Sequence, residues 1–178
     1  MSTRLKELYR EVDQAVEAVK KRFPAEVKCR RGCSDCCHAV FDVSLAEAVA
    51  IQKEFMKLPR EKRRLAARQA KKALEQWNRL VQQKADISRA RIRCPLLSED
   101  HLCMLYEMRP VNCRTYGVPV EIDGKSAVCG LSGFRPGGSY PTIKINAVQQ
   151  ALLEISQALD QELSRKRWPI AALILEVS

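Results

Sequence analysis

The chain has 178 residues, a net charge of +10, 46% hydrophobic residues and 8 cysteines. That is the composition of a globular protein, and one domain over residues 1–178 is expected. The charged opening MSTRLKELYREVD carries no signal-peptide core, and the longest near-apolar run, Pro169 to Leu175, is far short of the ~20 residues that cross a bilayer. Eight cysteines also fall below the roughly 8–10% of a disulfide scaffold. Secreted disulfide proteins and membrane proteins are excluded on these grounds. The expected compartment is a reducing cytoplasm, where clustered thiols bind metal.

Taken in order, the chain opens with a predicted helix from about Ser2 to Phe23, its buried stripe being Leu5, Leu8, Val12, Ala15 and Val19. Pro24 ends it. Residues 25–43 have no clear period and read as a loop holding Cys29, Cys33, Cys36 and Cys37. Ser44-Leu-Ala-Glu47 has the form of a capping box, opening a helix with Leu45, Ala48, Ile51, Phe55 and Leu58 on one face and Pro59 at its end. The longest helix is predicted over about Arg60 to Lys84, with Ala67, Ala70, Leu74, Trp77 and Val81 inward and a basic face of Arg63, Arg64, Arg68, Lys71, Lys72 and Arg79 outward.

From Cys94 to Cys129 the chain turns to short, turn-rich pieces, with Asp123-Gly124 marking a hairpin between Val120–Ile122 and Ser126–Val128. A last long helix starts near Thr142, its stripe being Ile145, Val148, Leu152, Ile155 and Leu159, and a short apolar helix spans Ile170 to Val177. The expected fold is therefore mainly α: a bundle of four to five helices with two irregular cysteine-rich metal-binding regions and a small β-hairpin.

The cysteines form a tight group, Cys29-x3-Cys33-x2-Cys36-Cys37, and a spread one, Cys94-x8-Cys103-x9-Cys113 with Cys129 beyond. Zinc takes four thiolates at ~2.3 Å in a tetrahedron. An iron–sulfur cluster takes thiolates at its iron corners. Spacing leaves both open. Adjacent side chains diverge, so the Cys36-Cys37 pair points to two sites, or to one ligand and one buried or redox-active thiol. Interleaving of the two groups explains the pair best. Cys29-x3-Cys33-x2-Cys36 also has the spacing of a radical S-adenosylmethionine loop, but no run of alternating strands and helices follows to build that barrel.

Cys29-Arg-Arg-Gly-Cys33-Ser-Asp-Cys36-Cys37 resembles the opening of the CxxCxxCC, or YkgJ-type, zinc/iron-chelating cysteine cluster family. Cys94-Pro-Leu-Leu, Cys103-x2-Tyr106 and Arg109-Pro110-x2-Cys113-Arg114-x-Tyr116 match its second half, and Cys129 its trailing cysteine. The likeness covers about residues 29–129. It implies a metal-binding protein with zinc or an iron–sulfur cluster on Cys29, Cys33, Cys36, Cys37, Cys94, Cys103, Cys113 and Cys129. The chain is also distantly similar to the cysteine-rich part of flagellin lysine N-methylase. That implies an alternative: a group-transfer enzyme that uses S-adenosylmethionine on a protein substrate. The chain is shorter than such an enzyme and has no GxGxxG after a strand.

His38 and His101, the only histidines, each stand within two residues of a cysteine and read as neighbours of the centre. Arg109 and Arg114 flank Cys113 and are placed as cofactor-binding residues that offset thiolate charge and donate to sulfur. In the enzyme alternative one of them holds a substrate carboxylate. The basic region from Arg60 to Arg93 reads as a solvated face, nucleic acid being the second alternative, because it has almost no aromatic residues to stack bases. The sequence does not reach the oligomeric state.

Overall fold

The structure, a computed structural model, describes residues 2–86 and 90–178. Among these are six α-helices: α1 (Thr3–Arg22), α2 (Leu45–Phe55), α3 (Arg60–Gln82), α4 (Val111–Thr115), α5 (Ile145–Gln157) and α6 (Ile170–Glu176). The mainly-α expectation holds. The helix count is one higher than expected, because a five-residue helix forms inside the second cysteine region.

Helix α1 starts where the Ser2 side chain accepts from the Leu5 amide at 3.2 Å. Lys20, Lys21 and Arg22 in its last turn face the negative end of the helix dipole. It buries Leu5, Tyr9, Val12, Val16 and Val19. The predicted stripe shared only three of these: Leu8 is half-buried and Ala15 exposed. Tyr9 turns inward instead, its ring lying under the Arg114 guanidinium at 4.0 Å.

Helix α2 opens with the predicted capping box complete, Ser44 and Glu47 each reaching the other's backbone. Helix α3 buries Ala66, Ala70 and Ala73, not the predicted stripe; of that stripe Ala70 alone is buried, and Val81 is 56% exposed. Alanines keep the helix surface low, which lets α6 pack closely on α3. The expected Leu159 of the last long helix is likewise exposed, because α5 ends at Gln157, a residue pair earlier.

Short strands tie these helices together. β1 (Asp42–Val43) pairs antiparallel with β5 (Trp168–Pro169), joining the loop after the first cysteines to the entry of α6. β2 (Val120–Ile122) pairs antiparallel with β3 (Lys125–Ala127) and parallel with β4 (Ile143–Lys144). The predicted hairpin is thus present, with Asp123 at φ 50° and Gly124 at φ 73°, the two positive values a tight hairpin turn needs.

The main core gathers Leu5, Ile51, Phe55, Leu152, Leu173 and Ile174 from α1, α2, α5 and α6, each side chain contributing about 1.5–3 kcal/mol on burial. A second cluster sets Val12, Val16 and Val19 of α1 against Val118 and Phe134. Edge-to-face contacts among Phe23, Phe134 and Tyr140 extend it. This second cluster holds both ends of the Val118–Phe134 stretch against the helix that leads into Cys29.

Candidate metal centre

All eight cysteines are free thiols. Cys29 precedes, and Cys33 closes, a turn in which the Cys33 amide donates to the Arg30 carbonyl at 2.9 Å. Gly32 in that turn has φ 87°, a conformation side chains resist. A 3₁₀ turn over Asp35–Cys37 then carries Cys36, half-buried, and Cys37, buried.

The second cysteine region is hydrogen-bonded directly onto the first. The Ile92 amide donates to the His38 carbonyl at 3.0 Å and the Cys94 amide to the Cys37 carbonyl at 2.7 Å. A tight loop through His101, itself at φ 58°, returns the chain so that Met104 donates to Leu96 at 2.8 Å and Cys103 lies opposite Leu97. Cys103 therefore comes back beside Cys94.

Cys113 rides on α4, which Glu47 anchors. The Glu47 carboxylate, 2% exposed, accepts from the Ser44 amide at 3.1 Å, the Ser44 hydroxyl at 3.0 Å and the Val111 amide at 2.8 Å. One buried side chain thus caps α2 and fixes the start of α4. Arg114, 8% exposed, has its donors on the Arg109 carbonyl at 2.7 Å, the Asp13 carboxylate at 2.5 Å and the Glu107 carbonyl at 2.6 Å. It locks α4 to α1.

Cys129 reaches the first group from far along the chain. The Gly133 amide donates to the Glu26 carbonyl at 2.7 Å, bringing residues 129–133 against the Cys29 loop. The Cys129 thiol donates to Asp35 Oδ2 at 3.5 Å and accepts from the Leu131 amide at 3.4 Å. Asp35 is also ion-paired to Arg91. Burial works against the Asp35 carboxylate, but hydrogen bonds from Arg91, Tyr116 and Cys129 prevail and hold it below the usual carboxylate range.

Every cysteine except Cys129 lines one cavity of about 840 Å³. Hydrogen bonding with Cys113 and Cys37 holds the Cys36 thiol far below its ordinary value against the cost of its burial, and the charge of Arg109 adds to this. The same hydrogen bond raises Cys113 and Cys37. Burial pushes Cys94 up to about 12 and also raises Cys103. Nearer solvent, burial followed by the charge of Cys33 pushes Cys29 up to about 11.

Although Cys37 and Cys113 both reach Cys36, no three His, Cys, Asp or Glu side chains among the described residues are gathered closely enough to ligate one ion. The thiols are distributed around the cavity wall. His101 lines that wall, with Nδ1 3.5 Å from Ser34 Oγ. His38 Nδ1 instead lies 3.0 Å from the Ser34 carbonyl.

Sequence reasoning missed Asp35, Glu47 and Gly117. A Cβ added at Gly117 would stand 3.1 Å from Cys29 Cβ and closer still to its Sγ, so the bare backbone here makes room for that thiol. Asp35 was legible only as the residue inside Cys33-x2-Cys36, and Glu47 only as a helix cap.

The basic face of α3 is exposed at Arg60, Arg64, Arg68, Lys71, Lys72 and Arg79, while Arg63 is half-buried against Met56. Arg89 of the predicted basic region lies outside the described residues. None of the described helices is long and apolar enough to cross a membrane.

A family model, CxxCxxCC, with the description "Putative zinc- or iron-chelating domain", matches residues 28–130. No curated protein and no solved structure matches the chain.

Proposed function

Because the chain belongs to the CxxCxxCC family of zinc- or iron-chelating domains, we propose that its cysteines hold an iron–sulfur cluster within one folded domain. The observation that carries this reading is the spread of seven thiols, from both sequence groups, around a single cavity. A lone zinc ion draws four thiolates to ~2.3 Å of one centre. A cluster spreads its thiolates over several iron corners, which is what a distributed set can serve.

Cys36, Cys37, Cys94, Cys103 and Cys113 form the inner set, and Cys29, Cys33 and Cys129 the outer one. The inner set mixes the two sequence groups, and so does the outer set. Held between the inner thiols and the outer ones, Cys29 included, a cluster would supply electron storage or a Lewis-acidic iron. The chain's own part is to surrender protons: Cys94, Cys103 and Cys113 favour the thiol form without metal, so uptake releases protons and is favoured by rising pH. Arg109 lies close enough to act on Cys36 and Cys103 by charge and offsets part of the thiolate charge.

Purification without oxygen tests the reading. A brown protein absorbing near 400 nm, with iron and acid-labile sulfide in equal amounts, is the expected result. A colourless protein carrying zinc overturns the iron–sulfur reading and leaves the chelating one standing. Loss of metal from Cys94→Ser and Cys113→Ser, both folded, distinguishes the inner set from bystander cysteines.

A further inference from the structure

We propose that the thiol-lined cavity also binds a small organic carboxylate, held by the two terminal nitrogens of Arg109 beside Cys36 and Cys103. The cavity's cations are not equivalent. Lys20 is paired with Glu17 at 2.6 Å. Arg114 is consumed by Asp13 and two carbonyls. Arg93 donates to the Leu97 and Ser98 carbonyls at 3.2 and 2.9 Å. Arg30 and Arg31 also line it, exposed to solvent. Arg109 differs in being half-buried and tethered: its Nε donates to the Tyr106 carbonyl at 2.9 Å, and among the described residues its two terminal nitrogens have no hydrogen-bond partner.

That guanidinium is held at several points. Its Cζ lies 3.6 Å from the centre of the Tyr106 ring, its Nε is anchored, and its own carbonyl is held by Arg114 at 2.7 Å. Offsetting the charge of a thiolate centre requires only proximity. A planar fork tethered by a cation–π contact and by one hydrogen bond, with both ends open, matches the two oxygens of a carboxylate.

The cavity supplies the rest of a binding site. Its volume of about 840 Å³ lies within the ~300–1,000 Å³ of small-molecule sites. Phe41, Trp77, Ile92 and Met108 contribute apolar wall, which suits an organic body behind the anionic end. Inorganic phosphate carries no such body.

The inference uses the same cavity as the proposed metal centre but depends on Arg109 and the apolar wall, and metal analysis of each sample reads the two separately. Benzoate is the probe and inorganic phosphate the comparison, titrated by NMR into the protein as purified. Benzoate should bind the unmodified chain and bind Arg109→Gln at least tenfold more weakly, with the metal content of each protein measured alongside. Arg109→Lys keeps the charge and removes the fork, so it too should lose benzoate while keeping metal. No benzoate binding at millimolar concentration overturns the proposal, as does equal binding by either variant or tighter binding of phosphate than of benzoate. If Arg109→Gln loses metal, the lysine variant decides: metal kept with benzoate lost supports the fork, and any other outcome overturns it.

Discussion

Replacing Gly117 by alanine isolates a single thiol. Gly117 is not among the positive-φ glycines, so the backbone accepts alanine, and the loss of unfolded-chain freedom would add about 0.4–1 kcal/mol of stability if there were room. There is none, because the new Cβ falls 3.1 Å from Cys29 Cβ and nearer still to Sγ. Non-bonded carbon contacts sit at about 3.5–4.0 Å, and sulfur is larger. Cys29 has one side-chain torsion, so its thiol must rotate to another rotamer or the exposed Cys29 loop must shift. Both responses are local, and the net stability change should stay within about 1 kcal/mol of zero. Metal retention should suffer more than stability. On this reasoning Gly117→Ala unfolds within a few degrees of the unmodified chain, and under a chelator challenge it loses metal as fast as Cys29→Ser does. If Gly117→Ala holds metal like the unmodified chain while Cys29→Ser does not, the steric reasoning is refuted.

Three further outcomes follow from the packing. Glu47→Ala leaves the Val111 and Ser44 amides without their buried acceptor and should cost about 3 kcal/mol or more, since each unpartnered buried group costs roughly 1–3 kcal/mol; chemical denaturation measures it, and a loss below 1 kcal/mol contradicts the anchoring role. Tyr9→Phe removes a buried hydroxyl that makes no hydrogen bond of normal geometry among the described residues, although the Glu47 carboxylate is near enough to act on it, so stability should change by less than about 1 kcal/mol; a larger loss would make Tyr9–Glu47 a true hydrogen bond. Asp35→Asn probes pH. The Asp35 carboxyl is depressed in the folded chain, so its contribution is present above the unfolded carboxylate value and lost as pH falls through the lower folded one. The melting-temperature gap between Asp35→Asn and the unmodified chain should therefore be open at neutral pH and close in strong acid, and a gap independent of pH refutes the linkage.

The two arginines beside Cys113 show where sequence reasoning stopped. Arg109 and Arg114 flank the same cysteine and look alike in the chain, yet Arg114 is buried against Asp13, Glu107 and Tyr9, while Arg109 keeps two nitrogens open on the cavity wall. Their difference depends on Asp13, a hundred residues away on α1, and no local pattern encodes it. The helix stripes missed for a similar reason. A periodic pattern marks an apolar face to within about one residue, and the neighbour that packs there selects the register: Tyr9 over Leu8 in α1, and Ala66 and Ala73 over Ala67 and Leu74 in α3.

What the sequence determined by itself was local. Caps, prolines and apolar periods place the helices, because those preferences act within a turn or two of the backbone. The Asp123-Gly124 hairpin and the Ser44–Glu47 cap were legible for the same reason, and so was the metal-binding character of closely spaced cysteines. Only the tertiary structure decided which thiols share a wall. Cys94 hydrogen-bonds its amide onto Cys37, Cys113 rides on a helix that Glu47 anchors, and Cys129 is carried to Asp35 by the Gly133–Glu26 contact. Each of these contacts joins segments from 57 to 107 residues apart in the chain. No local preference specifies such pairings; the burial of the helices in the core holds the cysteine loops against one another.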